Sequence, residues 1–215
     1  MTVRSRAVHP SNHFRDRFEL GTVGGGADGS APEATAPPVG LRWASARMAG
    51  MVYRYFYDCE FIEDGRTVEL VSIGVVDEHG REFYAVSTEF DASRAVPWVR
   101  RHVLDKLPSP ADRSWRSRER IRDELYEFLV APVRDRPGEE LELWAWYAAY
   151  DHVALAQLWG AMPALPREIP RYTKDLRQLW DDRGRPRLPN AAAARHDALV
   201  DARHNLARWR AMTSA

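Results

Sequence analysis

From residue 52 onward the chain switches between two hydrophobic periods. The segment VYRYFYDCEFI at 52–62 is rich in β-branched and aromatic side chains and predicts a strand. Glu63-Asp64-Gly65-Arg66 then carries an Asp-Gly hairpin signal. Val71, Ile73 and Val75 alternate with Ser72 and Gly74, which predicts a second strand over about 67–76. Glu78-His79-Gly80 marks another turn, leading to a third strand at about 81–87. The period then lengthens. Pro97 suits the first turn of a helix reaching about residue 104. Ile121, Leu125, Phe128 and Leu129 form a helical stripe within 114–130. LELWAWY at 141–147 predicts a buried strand, and 150–159 a helix ended by Gly160 and Pro163. Over 171–182 a short strand or turn precedes a helix carrying Leu176, Leu179 and Trp180. A Pro-containing loop at 183–194 leads to a last helix over about 197–212, with Leu199, Ala202, Leu206 and Trp209 as its buried stripe.

Three consecutive antiparallel strands followed by helices and further strands make an α/β protein. The order is that of the ribonuclease H-like fold: a mixed sheet opening with a meander and flanked by helices. This domain occupies 51–215. Residues 1–50 have a different texture, since 21–40 is rich in Gly, Ala and Pro and almost free of large apolar side chains. Such a segment buries too little surface to offset its ordering entropy and is expected to be a flexible leader. Met48 and Met51 sit just before the patterned segment, so a start at Met51 is one reading of the leader.

Composition narrows the function classes. Lys+Arg and Asp+Glu both number 31, so the net charge is zero and offers no basic signature of nucleic-acid binding. Residues 1–50 hold six Arg and four acidic side chains, which leaves the domain 25 basic and 27 acidic, a net of −2. One Cys excludes a disulfide framework or a Cys-based zinc site and fits a reducing cytoplasm. No apolar run approaches the ~20 residues that span a bilayer.

The chemistry lies in five residues. Asp58 and Glu60 are two apart on the first strand, so both carboxylates leave the same face, roughly 6–7 Å apart along it. Two acids this close repel unless a cation or proton intervenes. Asp151 sits where a strand gives way to a helix. In His196-Asp197-Ala198-Leu199-Val200-Asp201, Asp197 is a good N-cap, His196 lies in the loop before it, and Asp201 falls on the helix flank. Each alone has a plain structural reading: an exposed strand face, a helix-start acid, a solvent-facing pair. Together they give four carboxylates and one His, a donor set that suits Mg²⁺ or Mn²⁺ better than zinc.

In these motifs the chain resembles the DEDDh 3′-5′ exonucleases, a superfamily that includes ribonuclease T and proofreading exonucleases. The matches are Asp58-Cys59-Glu60, Tyr150-Asp151 and His196 through Asp201. The stretches YFYDCEFIEDGRTVELVSIGVV, ELWAWYAAYDHVALAQLWG and HDALVDAR look most like the actinobacterial polyadenylate-specific 3′-exoribonuclease AS family. Two positions depart from the superfamily pattern: Tyr147, where Asn is frequent, and Cys59, where Thr, Ile or Val is usual.

The resemblance implies a metal-dependent 3′-5′ exoribonuclease acting on single-stranded RNA 3′ ends, overhangs of duplex RNA included, with a preference for adenylate and 5′-monophosphates as products. Asp58, Glu60, Asp151 and Asp201 would hold two ions, and His196 would serve as general base. Phe61, Tyr150 and Tyr147 are the expected substrate contacts, the first two by stacking on the terminal base. Arg113, Arg116 and Arg120, and Arg183, Arg185 and Arg187, are candidate phosphate contacts. Related enzymes are commonly homodimers, and the same is expected here. The residues alone leave two alternatives open: a DNA-directed proofreading or repair exonuclease, and a non-catalytic RNA-binding module.

Overall fold

The computed structural model describes residues 51–136, 138–190 and 196–214. The flexible leader expected over 1–50 lies outside them. Strands β1 (Val52–Glu63), β2 (Val68–Asp77) and β3 (Glu82–Ser87) form the antiparallel meander. The two turns between them are built by aspartates. Asp64 Oδ1 accepts from the Arg66 and Thr67 amides at 2.9 and 2.7 Å, and Asp77 Oδ1 from those of His79 and Arg81 at 2.9 and 2.8 Å.

The sheet is completed by β4 (Trp115–Arg116), β5 (Glu140–Ala145) and β6 (Lys174–Asp175), in the order β4-β3-β2-β1-β5-β6. β5 runs parallel to β1, so the sheet is mixed. Among the described residues five α-helices accompany it: α1 (Pro97–His102), α2 (Arg118–Val130), α3 (Ala149–Ala156), α4 (Leu176–Asp182) and α5 (Ala198–Thr213). This six-stranded α/β architecture is compatible with the ribonuclease H-like arrangement. No described helix is long and apolar enough to cross a membrane.

The alternation of β1 divides the core. Tyr55, Tyr57 and Cys59 face one layer, packed with Ile121, Leu125 and Leu129 of α2 and Leu155 of α3. Phe56 faces the other, packed with Leu176, Ala202, Leu206 and Trp209. Asp58 and Glu60 share the parity of Phe56, so the α5 face of the sheet turns from apolar to acidic along one strand.

Some elements differ from expectation. The helix expected to reach 104 stops at His102, and a 3-10 turn follows at Leu104–Lys106. The helix expected from 114 starts at Arg118, because Ser117 caps it by accepting from the Arg120 amide and 115–116 pairs with β3. β5 ends at Ala145 rather than 147, and Tyr147 has φ +59, a left-handed backbone that no strand accommodates. On α5 the sheet-facing stripe is Ala198, Ala202 and Leu206, with Leu199 only half-buried. Gly74 explains that rotation: a Cβ there would lie 2.3 Å from the Leu199 nitrogen and 2.4 Å from the Ala198 carbonyl. The first turn of α5 rests directly on the backbone of β2.

Candidate active site

Strand β1 outruns its neighbour. β5 pairs with Val52 through Phe56 only, so beyond that point one edge of β1 loses its ladder. Two side chains take the vacated positions. The Cys59 amide donates to Asp151 Oδ1 at 2.7 Å, and Asn205 Nδ2 donates to the Tyr57 carbonyl at 3.0 Å. Buried backbone groups need such partners. Here the partners bring α3 and α5 against the strand that carries Asp58 and Glu60.

The result is a cleft of about 470 Å³ lined by Asp58, Glu60, Asp151, His196 and Asp201. All five residues singled out from the sequence meet there. Asp197 caps α5 by accepting from the Leu199 and Val200 amides, both at 3.1 Å. Asp201 Oδ2 accepts from the His196 amide at 2.8 Å, which folds the segment before the helix back onto its first turn. His196 adopts φ +64 to make that reversal. Ligand atoms of Glu60, His196 and Asp201 all lie within 4.8 Å of one another. Asp58 and Asp151 line the same cleft beside this triplet.

Electrostatics mark the group as under-compensated. Burial, then Asp151, Glu60 and Asp201, hold the Asp58 carboxyl well above the usual range, with Arg208 pulling the other way. Burial followed by Asp201 and Asp151 pushes Glu60 up to about 8. Burial raises Asp151 to about 7, although the Cys59 amide opposes it. Carboxyls crowded and desolvated like this either take up protons or take up a cation. Carboxylate oxygens with one imidazole nitrogen are a donor set that fits Mg²⁺ or Mn²⁺.

The walls are aromatic. Phe61 and Tyr150 stack on each other, 5.7 Å between centroids and 11° between planes, and both line the cleft. Tyr147 is 63% exposed and meets Trp146 edge-on at 5.8 Å. Its backbone is left-handed, φ +59, a conformation that a bulky residue seldom adopts.

The six Arg residues expected to contact phosphate do not line the cleft. Arg116 and Arg120 both pair with Glu124, at 3.0 and 2.7 Å, and Arg185 pairs with Asp181 at 2.7 Å. For these three the spacing serves the protein's own acids.

Sequence reasoning missed two residues of the cleft, Trp98 and Arg208, and also Asn205, which holds the Tyr57 carbonyl of the strand beside it. Trp98 of α1 is 52% exposed and stands edge-on to His196, 4.8 Å between ring centroids. Asn205 and Arg208 follow Asp201 by four and seven residues, the spacing of one helical face, and that signal was available. Trp98 gave no such signal.

Comparison with known proteins adds a second line of observation. The family model described as "3'-5' exoribonuclease Rv2179c-like domain" matches residues 53–213. Two curated relatives are the 3'-5' exoribonucleases MT2234.1 and Rv2179c, from the CDC 1551 and H37Rv strains of Mycobacterium tuberculosis. Each is 63% identical over 161 residues, covering 75% of this chain and 94% of the relative. The matched span contains every residue of the cleft named above.

Proposed function

Because the chain belongs to the 3'-5' exoribonuclease Rv2179c-like domain family, we propose that it is itself a metal-dependent 3′-5′ exoribonuclease of the DEDDh type. It removes nucleoside 5′-monophosphates from single-stranded RNA 3′ ends, overhangs included, with adenylate as its favoured base. The observation that carries the proposal is the convergence of Asp58, Glu60, Asp151, His196 and Asp201 on one cleft.

Asp58, Glu60, Asp151 and Asp201 are the residues that would hold Mg²⁺ or Mn²⁺. When bound, such ions neutralise the site, lower the pKa of a coordinated water and stabilise the departing oxygen. The protein supplies the rest. Phe61 and Tyr150 offer an aromatic surface for the terminal base, and Tyr147 a second contact at the rim. His196 stands beside Glu60 and Asp201, where it accepts the proton of the attacking water. The water oxygen bonds to phosphorus, the bond from phosphorus to the 3′ oxygen of the preceding nucleotide breaks, and that oxygen takes up a proton. The Asp201 carboxylate, through the His196 amide, fixes where the imidazole starts from, and Trp98 covers one side of it. The domain as a homodimer is part of the proposal, carried by the resemblance; light scattering checks it.

End-labelled RNA and DNA of one sequence, each incubated with Mg²⁺ and with Mn²⁺, test the reading. Stepwise shortening of the RNA with release of AMP from poly(A) is expected. DNA cut faster than RNA would transfer the assignment to the repair class, and no cleavage of either would leave a binding module.

A further inference from the structure

We infer that Arg208 binds the RNA backbone, taking the phosphate on the 5′ side of the scissile one; this rests on the exonuclease reading. Arg208 is the one Lys or Arg among the described residues that line the cleft. It follows Asp201 by seven residues on α5, about two turns, so the two side chains leave one face of the helix. Its guanidinium carbon lies 4.2 Å from the centroid of the Trp146 ring, and Nη1 donates to Asn205 Oδ1 at 2.9 Å. Asn205 in turn holds the Tyr57 carbonyl, one residue before Asp58. A long side chain is therefore fixed at two points, an aromatic face and an amide, within the cleft. A planar fork held this way matches phosphate geometry and has little rotamer freedom left to lose on binding.

Direction along the cleft decides which phosphate it meets. Asp201 stands beside Glu60, while Asn205, one turn later, bonds at Tyr57. Advancing along α5 thus retreats along β1, from Glu60 past Asp58 toward Trp146. Phe61 and Tyr150 lie at one end of this line and Arg208 at the other. A nucleotide stacked on Phe61 and Tyr150 puts its own phosphate over the acids. The next phosphate of the chain then falls toward Arg208.

An Arg208 with only a structural role would brace Asn205 and offset the acids. Its loss would move stability and metal affinity but leave the salt dependence of the reaction alone. The test is kcat/KM on a single-stranded oligoribonucleotide at fixed Mg²⁺ across a KCl series, for wild type, Arg208→Met and Arg208→Lys. Loss of one contact to a single strand flattens the log–log slope by about 0.7. Arg208→Met is expected to flatten it by that amount and to lower kcat/KM by about 10–100-fold, mostly through KM, the usual worth of one charged contact. Arg208→Lys is expected to keep the slope.

A second measurement needs no variant. Oligonucleotides with one neutral methylphosphonate on the 5′ side of the scissile linkage should slow wild type by the same factor, and should slow Arg208→Met no further. Wild type that cuts RNA but ignores that linkage, or Arg208→Met with an unchanged slope, overturns the inference and spares the exonuclease reading. Wild type inert on all RNA overturns both.

Discussion

Asp58 holds a compromised position in the cleft. It is surrounded by three other acids and largely desolvated, yet the strand gives it no alternative direction. Such a residue is kept at the expense of stability. Asp58→Asn should therefore raise the melting temperature of the metal-free protein by about 2–4 °C per kcal/mol of relieved repulsion, while abolishing Mg²⁺ uptake and cleavage. Calorimetry on both forms checks it, and retained activity rejects the ligand role. His196→Ala separates two roles that its position permits. As general base its loss should cut the rate by about 10²–10⁴ with metal affinity nearly intact. A collapse of metal affinity would make it a ligand alongside Glu60 and Asp201. At this scale much was legible from spacing, because strand alternation fixes that Asp58 and Glu60 share a face whatever surrounds them. Arg208 and Asn205 were less so: on an amphipathic helix a polar residue at the right spacing looks like an ordinary flank until the opposing strand edge is known to be unpaired.

Elements matter here through their ends. β5 stops early, β1 continues, and the exposed edge recruits Asp151 and Asn205 as substitute partners. That stop was not readable, since 143–147 is an unbroken run of apolar and aromatic residues with no Gly or Pro to mark its end, and Tyr147 turns the backbone left-handed. The seating of α5 depends on Gly74 in the same way. Gly74→Ala places a methyl against the Leu199 and Ala198 backbone, which cannot rotate aside as a side chain could. The helix start must lift, at a cost of about 1–3 kcal/mol for overpacking, and it carries His196 and Asp201 away from Glu60. Weakened Mg²⁺ affinity with a lowered melting temperature is the expected pair of results. Unchanged metal affinity would mean that α5 does not need its contact with β2 to present Asp201.

For the molecule as a whole the acids tie stability to pH and to metal. Glu60 and Asp151 titrate near 4 when unfolded but at about 8 and about 7 when folded. The folded state thus holds more protons across that window, and the sign of the linkage makes the metal-free protein lose stability as pH rises from about 4 to about 8. Cations need these groups deprotonated, so they compete with protons at low pH. The rise in melting temperature on adding Mg²⁺ should be larger at pH 8 than at pH 6; a rise independent of pH would remove Glu60 and Asp151 from the ligand set. The same global view shows why the order of strands and helices was legible while their assembly was not. Periodicity reports each element's own faces, whereas the cleft arises where three elements end. The placement of α5 also has a temporal side. Asp58 and Glu60 precede Asp201 by about 140 residues, and α5 is the last described element to leave the ribosome. A nascent chain thus carries Asp58, Glu60 and Asp151 well before His196 and Asp201, and the five acquire a common cleft only when the last described helix docks.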